Sequence, residues 1–252
     1  VPRIGSKGEL VGGIVADLLF LVGILAGSMD PFAFILSQPS VAQCRDVAVK
    51  KVRAVHRRPV SLRKSDITSA ESVLRAAKIV PALSPAPLSL ECCVSGLSVL
   101  APAQREASAG LFVRAPLQLL ARVDVLLGGV GRPVDASAAA CLSTLAAVIT
   151  NPRAQQELLP AVVHATIVRG AVFGPRRVAV AVVASRVAAV AVGFDPLGLC
   201  VPEVFFNRHK KTYAQLLANS DSAEGMTKWC EFYLDAMSAG ADEAEGIAAA
   251  VS

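Results

Sequence analysis

The chain has 252 residues, of which 54% are hydrophobic and 18% charged, and this excludes disorder over most of its length. Its net charge of +5 is a mild basic excess, and much of that sits in one stretch. Aromatics are only 5%, so the core must be built mainly from Ala, Val and Leu, a composition that favours close-packed helices in one large domain or two small ones.

Residues 1–28 read as an apolar N-terminal extension. Within it, LVGGIVADLLFLVGILAG (10–27) is the most membrane-like segment, but it is 18 residues long and interrupted by Asp17. Three readings stay open: a spanning helix, an export signal with Arg3 and Lys7 ahead of it, and an over-extended start with the natural opening at Met29. The third is favoured. A membrane is involved only if 10–27 is genuine, and residues 29–252 read as a single domain.

The basic stretch runs from Arg45 to Lys64 and contains Lys50, Lys51, Arg53, Arg57, Arg58 and Arg63. Val41, Cys44, Ala48, Val52 and Val55 fall at helical spacing on the other side, so a solvated helix face is expected. No aromatics interleave to stack on bases; nucleic-acid binding through 45–64 is kept only as a distant alternative. Thr68-Ser69-Ala70-Glu71 has the capping-box pattern and opens a helix expected to end at Pro81. After the proline-rich loop 81–91, helices are expected over Leu117–Leu127 and Ala136–Ile149, separated by the turn-rich GGVGRPVD (128–135).

Two apolar runs follow, Gln155–Arg169 and Val178–Val192. The valines of the second alternate as in a strand, yet its length and the Ser185-Arg186 pair inside it fit a packed helix slightly better. EVFFNRHKKTYAQLLAN (203–219) reads as one helix, and a last helix starts near Ser222 with Met226, Trp229, Cys230, Tyr233 and Met237 on one face. The six cysteines lack C-x-x-C spacing and sit mostly in apolar segments, as reduced thiols in a cytoplasmic protein would. The fold class expected is all-α, about seven to nine helices, with a short β-hairpin flap as an optional addition.

DPLGLCVPEVFFNRHKKTYAQLLAN and AEGMTKWCEFYLDAM resemble the end of a Fic/Doc (Fido) domain, through Arg208/His209, Tyr213, Leu216, Glu224-Gly225, Trp229, Phe232 and Leu234. Weaker resemblance extends upstream over roughly Asp30 to Ala241, most like a divergent bacterial branch with a loose active-loop motif. The resemblance implies a Fido-like helical domain whose working loop is H-P-F-x-[DE]-G-N-G-R-x-x-R. In that loop the histidine deprotonates a target hydroxyl, the carboxylate holds Mg²⁺, glycine amides cradle ATP phosphates and arginines clamp them. In frame, His164 takes the place of an earlier non-catalytic histidine and Phe173 that of the motif Phe. Ala171 then stands for the catalytic histidine, Val172 for Pro, Pro175 for the carboxylate, Arg176-Arg177 for Gly-Asn, Val178 for Gly, and Ala179 and Val182 for the arginines. The family's inhibitory [ST]-x-x-x-E-[GN] motif corresponds to VPALSP, with Val80, Ser84 and Pro85 at its defining positions. Both members of the inhibitory charge pair, Ser84 and Val182, are neutral here, as expected if loss of one removes the use of the other.

The resemblance therefore implies a pseudoenzyme: a binding or regulatory module with no catalytic residue, no resident cofactor and an unidentified protein partner. Gly174, Arg176 and Arg177 are the candidate anion or nucleotide ligands, in place of the lost backbone cradle. The alternative is a protein adenylyltransferase with ATP and Mg²⁺, in which His164, Glu157 or Asp195 serves as base. No carboxylate lies within Val168–Val183 to hold the metal, and no metal ligand set is expected.

Overall fold

The computed structural model describes residues 32–154 and 157–251. The expectations for residues 1–28 lie outside them. Thirteen α-helices fold around a central antiparallel pair: α1 Ala33–Leu36, α2 Pro39–His56, α3 Pro59–Arg63, α4 Ser65–Leu83, α5 Leu90–Leu97, α6 Pro102–Arg114, α7 Pro116–Leu126, α8 Ala136–Thr150, α9 Leu159–Arg169, α10 Arg177–Ala191, α11 Glu203–Arg208, α12 Lys210–Ala218 and α13 Ala223–Val251. Short 3₁₀ turns cover Ser98–Leu100, Pro152–Ala154 and Gly174–Arg176. The all-α class is as expected. The helix number exceeds seven to nine even when the three shortest, α1, α3 and α11, are set aside, which leaves ten, and the described residues contain no strand, so no β-hairpin flap.

The central pair is α9 and α10. From Val178 to Ala189 every residue of α10 is buried, and so is Leu159 to Ile167 of α9. A helix apolar all round belongs at a core centre, and this settles the strand-or-helix ambiguity of the valine run. Small Ala side chains let neighbouring helices approach on every side. α2 and α13 pack in parallel: Ser40 donates to Glu231 and Lys51 to Asp242, each pair 191 residues apart in sequence. Arg58 pairs with Glu245, and Lys64 donates to the Val251 carbonyl. The basic 45–64 face is thus partly neutralised by α13, and Val41, Ala48, Val52 and Val55 are buried behind it as the spacing predicts.

Three boundaries differ from the sequence reading. α4 begins at Ser65, so Thr68 lies inside the helix and its hydroxyl donates to the Lys64 and Ser65 carbonyls, 3.2 Å each, in place of a capping box. Pro81 does not end α4; it sits in the last turn, where one lost N–H costs little and Ser84 N still donates to Val80 O at 3.0 Å. The 203–219 helix breaks at His209, whose φ of −111° and ψ of 36° leave the α region. α13 passes close to the 201–202 backbone at Gly240. A Cβ there would lie 2.7 Å from Pro202 N, and Val201 N donates to Gly240 O at 3.2 Å. No helix among the described residues is long and apolar enough to cross a membrane.

Candidate functional site

The α9–α10 turn holds the residues singled out from sequence. α9 closes with a Schellman arrangement: Val172 N donates to Ile167 O at 3.4 Å and Ala171 N to Val168 O at 3.2 Å. That motif puts its C′ residue in the left-handed region, where glycine is usual, and Ala171 occupies it with φ +46°. Ala171 is exposed, while Val172 and Phe173 plug the core behind it. Gly174 has φ +57°, Pro175 is exposed in the 3₁₀ turn, and α10 begins at Arg177. The segment is a helix-ending turn followed by a helix start.

Arg176 and Arg177 part company. Arg176 turns to α7, where its Nε donates to Asp124 Oδ1 at 2.8 Å. Asp124 is fully buried, and its other oxygen accepts from Gly131 N at 2.9 Å. The carboxylate lies so close to Gly129 that a Cβ there would fall 2.1 Å from Oδ2, so this turn admits no side chain. Val134 N donates to Val172 O at 3.1 Å, and GGVGRPVD is therefore strapped directly onto the α9–α10 turn. Arg177 faces the other way. Its Nη1 donates to Gly174 O at 3.0 Å, and it lines a cleft of about 620 Å³.

That cleft lies between the end of α4 (Leu83, Ser84, Pro85), the end of α9 (Val168, Arg169), the start of α10 (Arg177, Val178) and α12 (Lys210, Tyr213, Ala214, Leu217, Ala218). Ser84 and Pro85, matched by sequence to the inhibitory motif, are brought to the same opening as Arg177. Arg169 donates to Ala218 O and pairs with Asp221 at 3.2 Å; Lys210 donates to Ala82 O. No acidic side chain is among the described lining residues. The sequence reading missed Arg169, Lys210 and Asp124. Only Asp124 carries a readable signal: a lone acid inside the apolar LLARVDVLL needs a buried partner.

His164 is fully buried, ringed by Trp229, Phe206, Tyr213 and Tyr233 with centroids 5.3–6.2 Å away. Ser185 Oγ donates to Val182 O at 3.0 Å, so it accepts from His164 Nδ1–H at 3.3 Å. Nε2 then accepts from the Tyr213 hydroxyl at 2.7 Å. Burial lowers the imidazole to about 3, and both nitrogens are occupied, the arrangement of a neutral packing residue. Trp229 Nε1 donates to Ala161 O at 2.8 Å and closes the cluster.

The other two candidate bases are not brought to the turn. Glu157 precedes α9, whose 11 residues place it on the order of 17 Å from the turn by helix rise. Asp195 follows α10, about 22 Å from the turn along that helix's 15 residues. Burial pushes the Asp195 carboxyl up, but bonds from His56 Nε2 at 2.8 Å and from Leu199 and Cys200 amides at 2.9 Å outweigh it and hold the group below its ordinary value. Beside it, Arg186 donates to Ser72 Oγ at 2.7 Å and Gly198 O at 2.9 Å, with Glu203 Oε2 3.8 Å away. Burial raises Glu203 despite that arginine. This network pins the 195–203 segment across α10 and α4. Among the described residues no group of three or more His, Cys, Asp or Glu side chains is placed to hold a metal ion.

No protein-family model matches this chain, and no curated protein matches it significantly.

Proposed function

We propose that the chain is a Fido-like module of a divergent bacterial kind that has lost adenylyl transfer and works by binding. The observation that carries the reading is Ala171: the position in frame with the proton-abstracting histidine is an alanine serving as the C′ residue of a helix-ending turn. The helical arrangement supports the resemblance, with a central α9–turn–α10 pair and the end of α4 beside the turn. The chemistry the family loop performs has no local replacement. His164 has no free nitrogen, Glu157 and Asp195 lie at the far ends of α9 and α10, and Arg176 is committed to Asp124. Six free thiols, four of them buried, support a reducing, cytoplasmic setting. The partner class favoured is a protein. The nucleic-acid alternative is weakened because Lys51 and Arg58 of the basic segment face Asp242 and Glu245.

The test is transfer of label from α-³²P-ATP with Mg²⁺ to protein in a bacterial extract and to the chain itself. No transfer above background is expected. Robust labelling that disappears in His164→Ala would overturn the reading in favour of an adenylyltransferase.

A further inference from the structure

The 171–176 turn ends one helix and starts the next, with Arg176 committed to Asp124, and the cleft beside it has its own chemistry. We infer that the cleft between α4, α9, α10 and α12 is a binding site for an amphipathic anion, with one phosphate- or carboxylate-type head on a compact apolar body. Its volume of about 620 Å³ is that of a small-molecule site. The wall divides by chemistry. Arg177, Lys210 and Arg169 supply cations, while Leu83, Val178 and Leu217 are among its apolar residues.

The cations are held in place without being used up. Arg177 spends one N–H on Gly174 O and keeps four donors; Lys210 spends one on Ala82 O and keeps two. Carbonyl anchors of this kind fix the head groups before a ligand arrives and cut the ordering cost of binding. Arg169 is balanced by Asp221, so the excess is two positive charges, the match for one mono- or dianionic head. A triphosphate brings about four negative charges and ordinarily needs a divalent cation, for which the described lining offers no carboxylate. Tyr213 turns its hydroxyl inward to His164 at 2.7 Å, which leaves its ring as the contribution to the wall.

This inference rests on the binding-module reading, and its failure is separable from that reading's. Titration calorimetry on the full chain uses octyl phosphate and octanoate as head-plus-tail probes, inorganic phosphate as head alone and octyl glucoside as tail alone. Saturable one-to-one binding is expected for at least one of the first two, and the stronger of them identifies the head group. Phosphate and octyl glucoside bind at least about tenfold more weakly, since neither collects both halves of the interaction. Arg177→Gln and Lys210→Gln each weaken binding about tenfold, the worth of one charge-assisted hydrogen bond. Ala214→Trp, which puts an indole into the opening from an exposed position one turn along α12 from Lys210 and leaves every charge in place, abolishes binding while the thermal unfolding curve is kept. No saturable binding of either amphiphile at millimolar concentration overturns the inference, and so does binding that all three variants leave intact. Either failure leaves the absence of adenylyl transfer standing, whereas ATP labelling would overturn the binding-module reading without altering the calorimetry.

Discussion

Removing the Arg176 guanidinium strands the Asp124 carboxylate. In Arg176→Ala that fully buried group keeps only the Gly131 amide as partner. Breaking a buried pair by deleting one member costs about 3–5 kcal/mol, because the survivor stays desolvated. Arg176 is itself 23% exposed, so water reaches part of the pair and about 3 kcal/mol, the lower end, is the expected loss. A domain of ordinary stability, about 5–15 kcal/mol, survives this folded. Urea unfolding at pH 7 measures the loss, and Asp124→Ala completes a double-mutant cycle. The double variant should lose less than the two singles summed, by at least about 1.5 kcal/mol, because the stranded charge is gone. A loss under about 0.5 kcal/mol for Arg176→Ala, or strict additivity, would refute the reasoning and return Arg176 to the free anion-binding role that the sequence suggests.

Ala171→Gly relieves a left-handed alanine at φ +46° and should stabilise by about 1 kcal/mol; a lowered melting temperature would mean that the exposed methyl packs usefully. His164 is held neutral at about 3 when folded, whereas the unfolded chain takes up its proton near the ordinary value of about 6.5. Stability therefore falls as pH drops below about 6.5, by about 2 kcal/mol between pH 7 and pH 5, and His164→Gln, though less stable at pH 7, should show a flatter dependence over that range; parallel curves would contradict the burial. Asp195, held low, adds a further loss only at more acid pH, below its unfolded value of about 3.8–3.9. Of six free thiols only Cys44 and Cys92 are partly exposed, while burial lifts Cys93 and Cys141 to about 11 and Cys230 to about 12. A colourimetric disulfide reagent should thus titrate at most two thiols in the native protein and six after unfolding.

Local chemistry made much of the helical framework readable. α7, α8 and the last helix lie within one residue of their expected positions, and the face of α2 follows its 3.6-residue spacing. The helical identity of α10 was legible from its length once packing on all sides is allowed for. Longer-range contacts were not. Thr68 matches a capping box, but the preceding Lys64 and Ser65 already begin the turn, and no local pattern reports that. Gly174-Pro175-Arg176-Arg177 looks like two equivalent cations at a helix start. Their divergence depends on Asp124, 52 residues upstream in sequence, and on an opening built from four separate helices. The sequence offers His164 as an alternative base, but its neutral, fully bonded state depends on Ser185 and Tyr213, which lie 21 and 49 residues away. The sequence singles out the turn, and the structure supplies the partners of its two arginines, Asp124 for Arg176 and the Gly174 carbonyl for Arg177.

The central claim is that the 171–176 turn ends a helix and cradles no phosphate, while the neighbouring cleft takes an anion. It is tested most directly by backbone amide shifts of ¹⁵N-labelled protein titrated separately with ATP–Mg²⁺ and octyl phosphate. The account predicts unchanged amides for Ala171 to Phe173 with millimolar ATP–Mg²⁺, and saturable shifts around Arg169, Arg177 and Lys210 with octyl phosphate. Saturable ATP–Mg²⁺ shifts at Ala171 to Phe173, with no response to the amphiphile, would contradict it.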